Sequence, residues 1–247
     1  MTTPFRRTCQ SLLAPALLCL ALLPLTSQAG STKGSGKLAT DNRTVAEFQA
    51  ISLRGAMDLV VKQGAQSLQV QADDNLLALI ETVVETTSQG PTLVVRMKRG
   101  ESLSTRNKLV LNVTVPKLSG VAAEGAGDIR VEAFNTPALK VALMGSGDAH
   151  LQKLTTGDLG ISISGSGDVS ADGTAAKVKV SIAGSGDVRL GDLKADDVLV
   201  SIAGSGDAAV HANKSLEVSI AGSGDVSYSG NPTLKSTVAG SGSVSRK

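Results

Sequence analysis

The chain of 247 residues carries 24 basic and 22 acidic side chains, with one Tyr, three Phe and no Trp. A balance this close to neutral excludes an electrostatic case for nucleic acid or an anionic membrane surface as partner. The scarcity of rings means that the core must be built from Val, Ile, Leu and Ala.

The first segment, residues 1–29, places Arg6 and Arg7 before the apolar run "LLAPALLCLALLPL" and ends in "SQA" ahead of Gly30. That three-part layout predicts a secretory signal peptide, and hence an exported protein of the periplasm, cell envelope or extracellular space. A membrane span needs about 20 apolar residues, more than the run from Leu12 to Leu25 supplies, so no span is expected in the mature chain. Cys9 and Cys19 both fall inside the leader, which leaves the exported protein without a thiol for a disulfide, a metal or a nucleophile. Leu18 stands before Cys19 where a lipid-attachment signal wants a small residue. Loss of Arg6 and Arg7 with the leader makes the basic and acidic counts equal.

Residues 30–44 open with "GSTKGSGKLAT" and read as a flexible linker. Residues 45–120 read as an N-terminal cap containing one degenerate coil. In "ISLRGAMDLVV", Ile51 and Leu53 precede Gly55 at even offsets, and Leu59 and Val61 follow it. The stretch "DNLLALIETVV" fits a short helix or a strand, while "PTLVVRMK" and "KLVLNVTVP" alternate as strands do.

Residues 121–247 form an array of glycine-rich corners. Their first glycines are Gly125, Gly145, Gly165, Gly184, Gly204, Gly222 and Gly240, a repeat of about 18–20 residues. Residues at even offsets before each corner form apolar columns. One contains Val141, Ile161, Val180, Val200 and Val218; another contains Leu143, Ile163, Ile182, Ile202, Ile220 and Val238. Even spacing means strands with one buried face. After each corner the alternation resumes at Ala149, Val169, Val188, Ala208 and Val226, whereas odd offsets hold Lys179, Ser181, Arg189, Glu217 and Ser219. Strands recurring at one period without hairpin signals predict an all-β fold: a parallel β-solenoid, or β-helix, continuous with its irregular N-terminal cap. Seven coils stacked about 4.8 Å apart make a rod about 30 Å tall. In the last coil Ser243 replaces the corner aspartate and Arg246 an apolar residue; charge at such an edge discourages end-to-end stacking.

The glycines read as structural corners, since Gly-Ser-Gly tolerates positive φ and close backbone approach. "GSGDV" lacks the third glycine of a dinucleotide loop and the lysine of a P-loop. The aspartates Asp128, Asp148, Asp168, Asp187, Asp207 and Asp225 should line one edge, where neighbours repel by roughly 0.9 kcal/mol in water. Two readings of that column stand open: carboxylates that accept backbone N–H groups and close the turn, or oxygen ligands for calcium held between coils. His150 and His211 fall three coils apart at outward offsets, too far to share a metal or a triad. No G-x-S-x-G nucleophile elbow occurs in the chain. Carboxylate pairs about 5 Å apart keep a glycosidase in view, although near-identical coils argue against one distinguished catalytic site.

The order "FQAISLRGAMDLVV", "DDNLLALIETVV", "VTVPKLSGVAAEGAGDIRV" and then a run of "GSGD" corners resembles the bacterial head GIN domain family of auto-transporter adhesins, over roughly residues 45–245. The resemblance implies an adhesin-like role and carries no catalytic or ligand residues across. The chain differs from a whole auto-transporter in having no second half long enough for a membrane barrel. The combined expectation is an exported, non-enzymatic envelope or secreted protein that contacts a macromolecule, protein or glycan, through its strand faces. No catalytic residue and no cofactor is expected, and the repetitive face permits homo-oligomers. The alternatives are a polysaccharide-binding or cleaving β-helix and a calcium-stabilised scaffold; few aromatic rings are on hand to stack against sugars.

Overall fold

In a computed structural model describing residues 31–247, the chain is almost entirely β-strand and winds into a β-solenoid of about six turns. The leader expected over residues 1–29 lies outside the described residues. The long strands Ala149–Gly165, Val169–Gly184, Val188–Gly204 and Ala208–Gly222 each fold around one return, Asn135–Gly145 begins just after its own, and all five stack in parallel. Their register follows the repeat: Val141 pairs with Ile161, which pairs with Val180, then Val200 and Val218. Coils of unequal length stay aligned at the corners because the register slips only at the returns, for example between Leu151 and Leu154 and between Leu190 and Lys194.

The expected apolar columns are the core. Leu139, Leu159, Val178, Val198 and Leu216 are buried, as are the two columns after them. Burial of a Val, Leu or Ile side chain stabilises by about 1.5–3 kcal/mol, and the same contact recurs on every coil. The last coil is less protected. Leu234 and Val238 continue the inward columns but remain 39% and 41% exposed at the upper edge.

The degenerate coil sits where its sequence places it. Ala50–Arg54 pairs in parallel with Gly120–Gly125, and Asp58–Gln63 with Ile129–Glu132, so Leu53 meets Ala123 and Leu59 meets Ile129. The intervening chain does not separate this coil from the array; it runs beneath. Gly90–Met97 lies parallel under Ala50–Arg54, and Val110–Val115 under Asp58–Gln63. Below these the pairing turns antiparallel. Ile80–Thr87 closes on Gly90–Met97, and Ser67–Asp73 closes on Val110–Val115. "DNLLALIETVV" becomes a one-turn 3-10 helix, Leu77–Leu79, followed by the strand Ile80–Thr87.

The expected flexible linker is corrected. Ser31–Lys33 pairs with Ser102–Ser104, and Leu38–Asn42 adds an antiparallel strand to Ser67–Asp73. Between them, Ser35 donates its hydroxyl to Asp74 at 2.6 Å and its N–H to Asn75 at 2.9 Å, while the Asn75 amide bonds the Lys33 carbonyl. The Gly/Ser/Lys composition that suggests a loose tether here supplies small residues that fit against Asp73; a Cβ on Gly34 would fall 1.8 Å from its Oδ2.

Candidate functional site

The corner edge is built from four positions. At Gly165, φ is +137°, a value unfavourable for any residue with a side chain, and a Cβ there would lie 2.2 Å from the Gly145 carbonyl oxygen. The second glycine is equally confined: a Cβ on Gly167 would meet the Gly147 carbonyl at 2.1 Å. Between them the serine backbone supplies a rung, as when the Ser166 N–H donates to the Gly145 oxygen at 2.9 Å. The corner glycines therefore stack with no room for side chains between successive turns.

The aspartates form a ladder of inter-coil bonds. Asp148, Asp168, Asp187, Asp207 and Asp225 each donate their backbone N–H to Oδ1 of the aspartate one coil below, at 2.8–3.1 Å. Ser243 takes the last place, donating N–H and hydroxyl to Asp225 at 2.8 and 2.9 Å. The ladder starts one coil earlier than the six expected residues. Asp128 donates to Asp58 Oδ1 at 3.1 Å, and Asp58 stands three residues after Gly55, the offset that identifies every other member. A hydrogen bond to a charged group is worth about 1.5–3 kcal/mol, enough to exceed the repulsion of about 0.9 kcal/mol between neighbouring carboxylates at that spacing in water. The acceptor role is thus across the coils rather than within one turn.

Cations neutralise part of the row. Arg189 reaches Oδ2 of Asp168 at 2.9 Å and of Asp187 at 3.2 Å. Lys108 meets Asp58 at 2.9 Å, and the bond raises the lysine pKa above its ordinary value. Among the described residues no three His, Cys, Asp or Glu side chains converge on one point; the carboxylates make a line, not a cage. His150 and His211 are half-buried on the outward face, each bonded through Nδ1 to a serine of the next coil, Ser170 at 2.7 Å and Ser229 at 2.8 Å. They remain three coils apart.

A second feature was not singled out by sequence. On the outward face before the corners, a trough of about 420 Å³ runs along the solenoid axis, between the column Ala138, Asp158, Lys177, Asp197 and the column Lys140, Gly160, Lys179, Leu199. Ala138 also lines a wider depression of about 940 Å³, whose walls mix the apolar Pro116 and Pro137 with Gln49, Gln63, Asn135 and Lys117. The sequence signal for it is the odd offset at which a glycine replaces the lysines: Gly160 is the Cα partner of Lys140 on one side and of Lys179 on the other.

The family described as "Putative auto-transporter adhesin, head GIN domain" matches residues 47–232. The chain belongs to this family. Among solved structures, a "putative adhesin" from Bacteroides fragilis NCTC 9343 is 29% identical, with a TM-score of 0.81 over 88% of this chain and all of the other. A "putative lipid binding protein" from Parabacteroides distasonis ATCC 8503 is 24% identical over 88% of this chain and all of its own, at a TM-score of 0.70. A "putative adhesin" from Parabacteroides merdae ATCC 43184 shares 24% identity over 88% of this chain and 99% of its own, at 0.65. The last two likenesses concern the fold alone. No curated protein matches the chain. The head GIN fold seen here places glycines and aspartates at one stapled edge and leaves the outward strand faces open to solvent. No helix among the described residues is long and apolar enough to cross a membrane.

Proposed function

We propose that this head GIN protein is an exported, non-enzymatic protein of the envelope or the extracellular space that holds a macromolecule against its outward strand faces, as an adhesin does. The observation that carries the reading is the division of labour along each coil. Inward columns and the corner ladder are consumed by stacking, whereas most outward side chains, apart from scattered inter-coil pairs such as His150 with Ser170 and Glu217 with Lys235, face solvent on a rigid frame. Such a frame presents many weak contacts at fixed spacing and binds an extended partner without losing much entropy on ordering. Resemblance to the B. fragilis structure described as a "putative adhesin", over 88% of this chain, supports the same reading.

The test is retention of beads coated with residues 31–247 on surfaces bearing envelope polysaccharides, host-type glycans or matrix proteins. Saturable retention on at least one surface, competed by the free protein, is the expected result. Retention no greater than that of beads coated with an unrelated solenoid of similar size would remove the reading.

A further inference from the structure

We propose that the last coil is a docking edge for a second copy of this chain, which pairs with it strand to strand about a two-fold axis at Ser236. The inference stands apart from the adhesin-like reading: it concerns how many frames are joined, not what they hold.

The two ends of the solenoid are unlike. At the lower end the antiparallel strands Ile80–Thr87 and Ser67–Asp73 close beneath the first coil. At the upper end Thr233–Gly240 pairs only with the coil beneath it, as does Val244–Arg246. Every residue of Thr233–Gly240 is exposed, although Leu234 and Val238 stand over Leu216 and Ile220, which are fully buried. The apolar columns therefore run open to water at this edge.

Backbone polarity identifies what fits there. The Ser241 N–H donates downward to the Gly222 carbonyl, whereas at the lowest corner the Gly55 N–H donates upward to the Glu124 carbonyl. Successive residues of a strand aim these groups to opposite sides. In the last coil it is thus Leu234, Ser236 and Val238, the residues with inward side chains, whose N–H and C=O groups point upward, and no strand among the described residues lies above to receive them. A row of unpaired backbone groups beside exposed apolar side chains is a template for another strand.

That strand is complementary to itself. Antiparallel pairing with Ser236 on the two-fold sets Leu234 against Val238 of the second copy and the two Ser236 hydroxyls against each other. The upward groups then meet in hydrogen-bonded pairs at all three positions, and the apolar columns of the two chains join. Outward, Lys235 falls opposite Thr237, and it is already held by Glu217 at 2.7 Å. A centre at Lys235 would oppose two lysines, and one at Thr237 would set Leu234 against Gly240, which has no side chain to cover it. Pro232 has no N–H to give and ends the ladder.

The arrangement closes as a dimer rather than a fibre, because the same two strands are consumed on both copies. The lower edge strand Ile80–Thr87 carries Glu81 and Glu85, charges that guard an edge against such pairing. Arg246 and Lys247, at the end where charge is expected to discourage stacking, lie beyond the corner and leave the limb before it free to pair. One strand pair is a small interface, so association is concentration-dependent, and its product is a frame of twice the length.

The experiment is sedimentation equilibrium of residues 31–247 from about 1 μM to about 1 mM, repeated with Ser236→Pro and joined to a cross-linking assay. Mass should climb with concentration from one chain to two and stop there. Ser236→Pro removes an N–H that bonds nothing within the chain, so it should keep the unfolding midpoint and weaken the dimer at least tenfold. Should that variant lose the last coil, Val238→Lys at the exposed edge makes the same comparison. Residues 31–247 contain no cysteine. Ser236→Cys should therefore form one disulfide between chains under mild oxidant, since facing Cα atoms in such a pair lie about 5.5 Å apart, within the span a disulfide bridges; Ser201→Cys, two coils below, should not. A single-chain mass at every concentration, growth past two chains, a dimer as strong in Ser236→Pro and Val238→Lys as in the parent, or equal cross-linking at Ser201 overturns the proposal. Bead retention by a protein that stays a single chain leaves the adhesin reading standing while this edge falls.

Discussion

The backbone N–H of Asp168 donates to Oδ1 of Asp148 in the adjacent coil at 2.9 Å, so the residue that ends each corner fastens that corner to its neighbour. The repetition of "GSGD" follows from this arrangement. Each coil must offer an acceptor upward and a donor downward at the same offset.

Replacing Asp148 by Ala should remove the acceptor for Asp168 and cost about 1–2 kcal/mol of stability. Asp148→Asn keeps an oxygen in place and should lose less than half as much. Urea unfolding of the two variants gives the comparison, with equal losses counting against the ladder.

Two glycines only seven residues apart should behave oppositely. Gly167→Ala drives a Cβ to 2.1 Å from a backbone oxygen and should cost about 3 kcal/mol through overpacking that the stacked coils cannot relieve. Gly160→Ala fills open space on a strand and should fall within about 0.5 kcal/mol of the parent. The same unfolding series measures both, and similar losses would mean that the corner stacking is looser than described.

Asp73 governs the acid limit of the cap. Hydrogen bonds from Thr105 and then Asn107 hold this carboxyl below its ordinary value of 3.8. A depressed carboxyl stabilises the folded state above its unfolded value, and that contribution is lost as pH falls from about 3.8 through the lower folded value. Hydrogen exchange in Leu38–Asn42 and Ser67–Asp73 should accelerate over that window before the array opens. Asp73→Asn should exchange faster at neutral pH and lose the acid step; an unchanged step would assign it to another carboxyl.

How much of this was legible in sequence depends on whether a contact obeys the period. Val180 and Ile182 declare their neighbours because the same offsets recur in every coil, and Gly55 declares its coil by the same rule. The fastening of Asp148 to Asp168 was half legible. The column was visible, but nothing in a linear pattern tells whether a carboxylate bonds its own turn or the next coil. Asp58 was overlooked although its offset from Gly55 identifies it. The path of residues 67–115 beneath the first coil was not legible, because Ile51 pairs with Val121 and Leu93 at sequence distances that no repeat announces. Residues 31–42 were misread for a different reason. Small polar residues look alike whether they are free or, like Ser35, bonded to Asp74 and Asn75. The trough escaped notice because its signal is a missing side chain at Gly160, visible only when the coils are laid side by side.

The most direct test of the central claim, that the aspartate row is an inter-coil staple and that binding lies on the strand faces, is thermal unfolding of residues 31–247 followed by circular dichroism, with calcium and then with excess chelator. The account predicts one midpoint in both conditions, since each Oδ1 already accepts a backbone N–H. A midpoint that climbs with calcium concentration, as mass action requires of a ligand bound to the folded state, would contradict it and make the row a cation site.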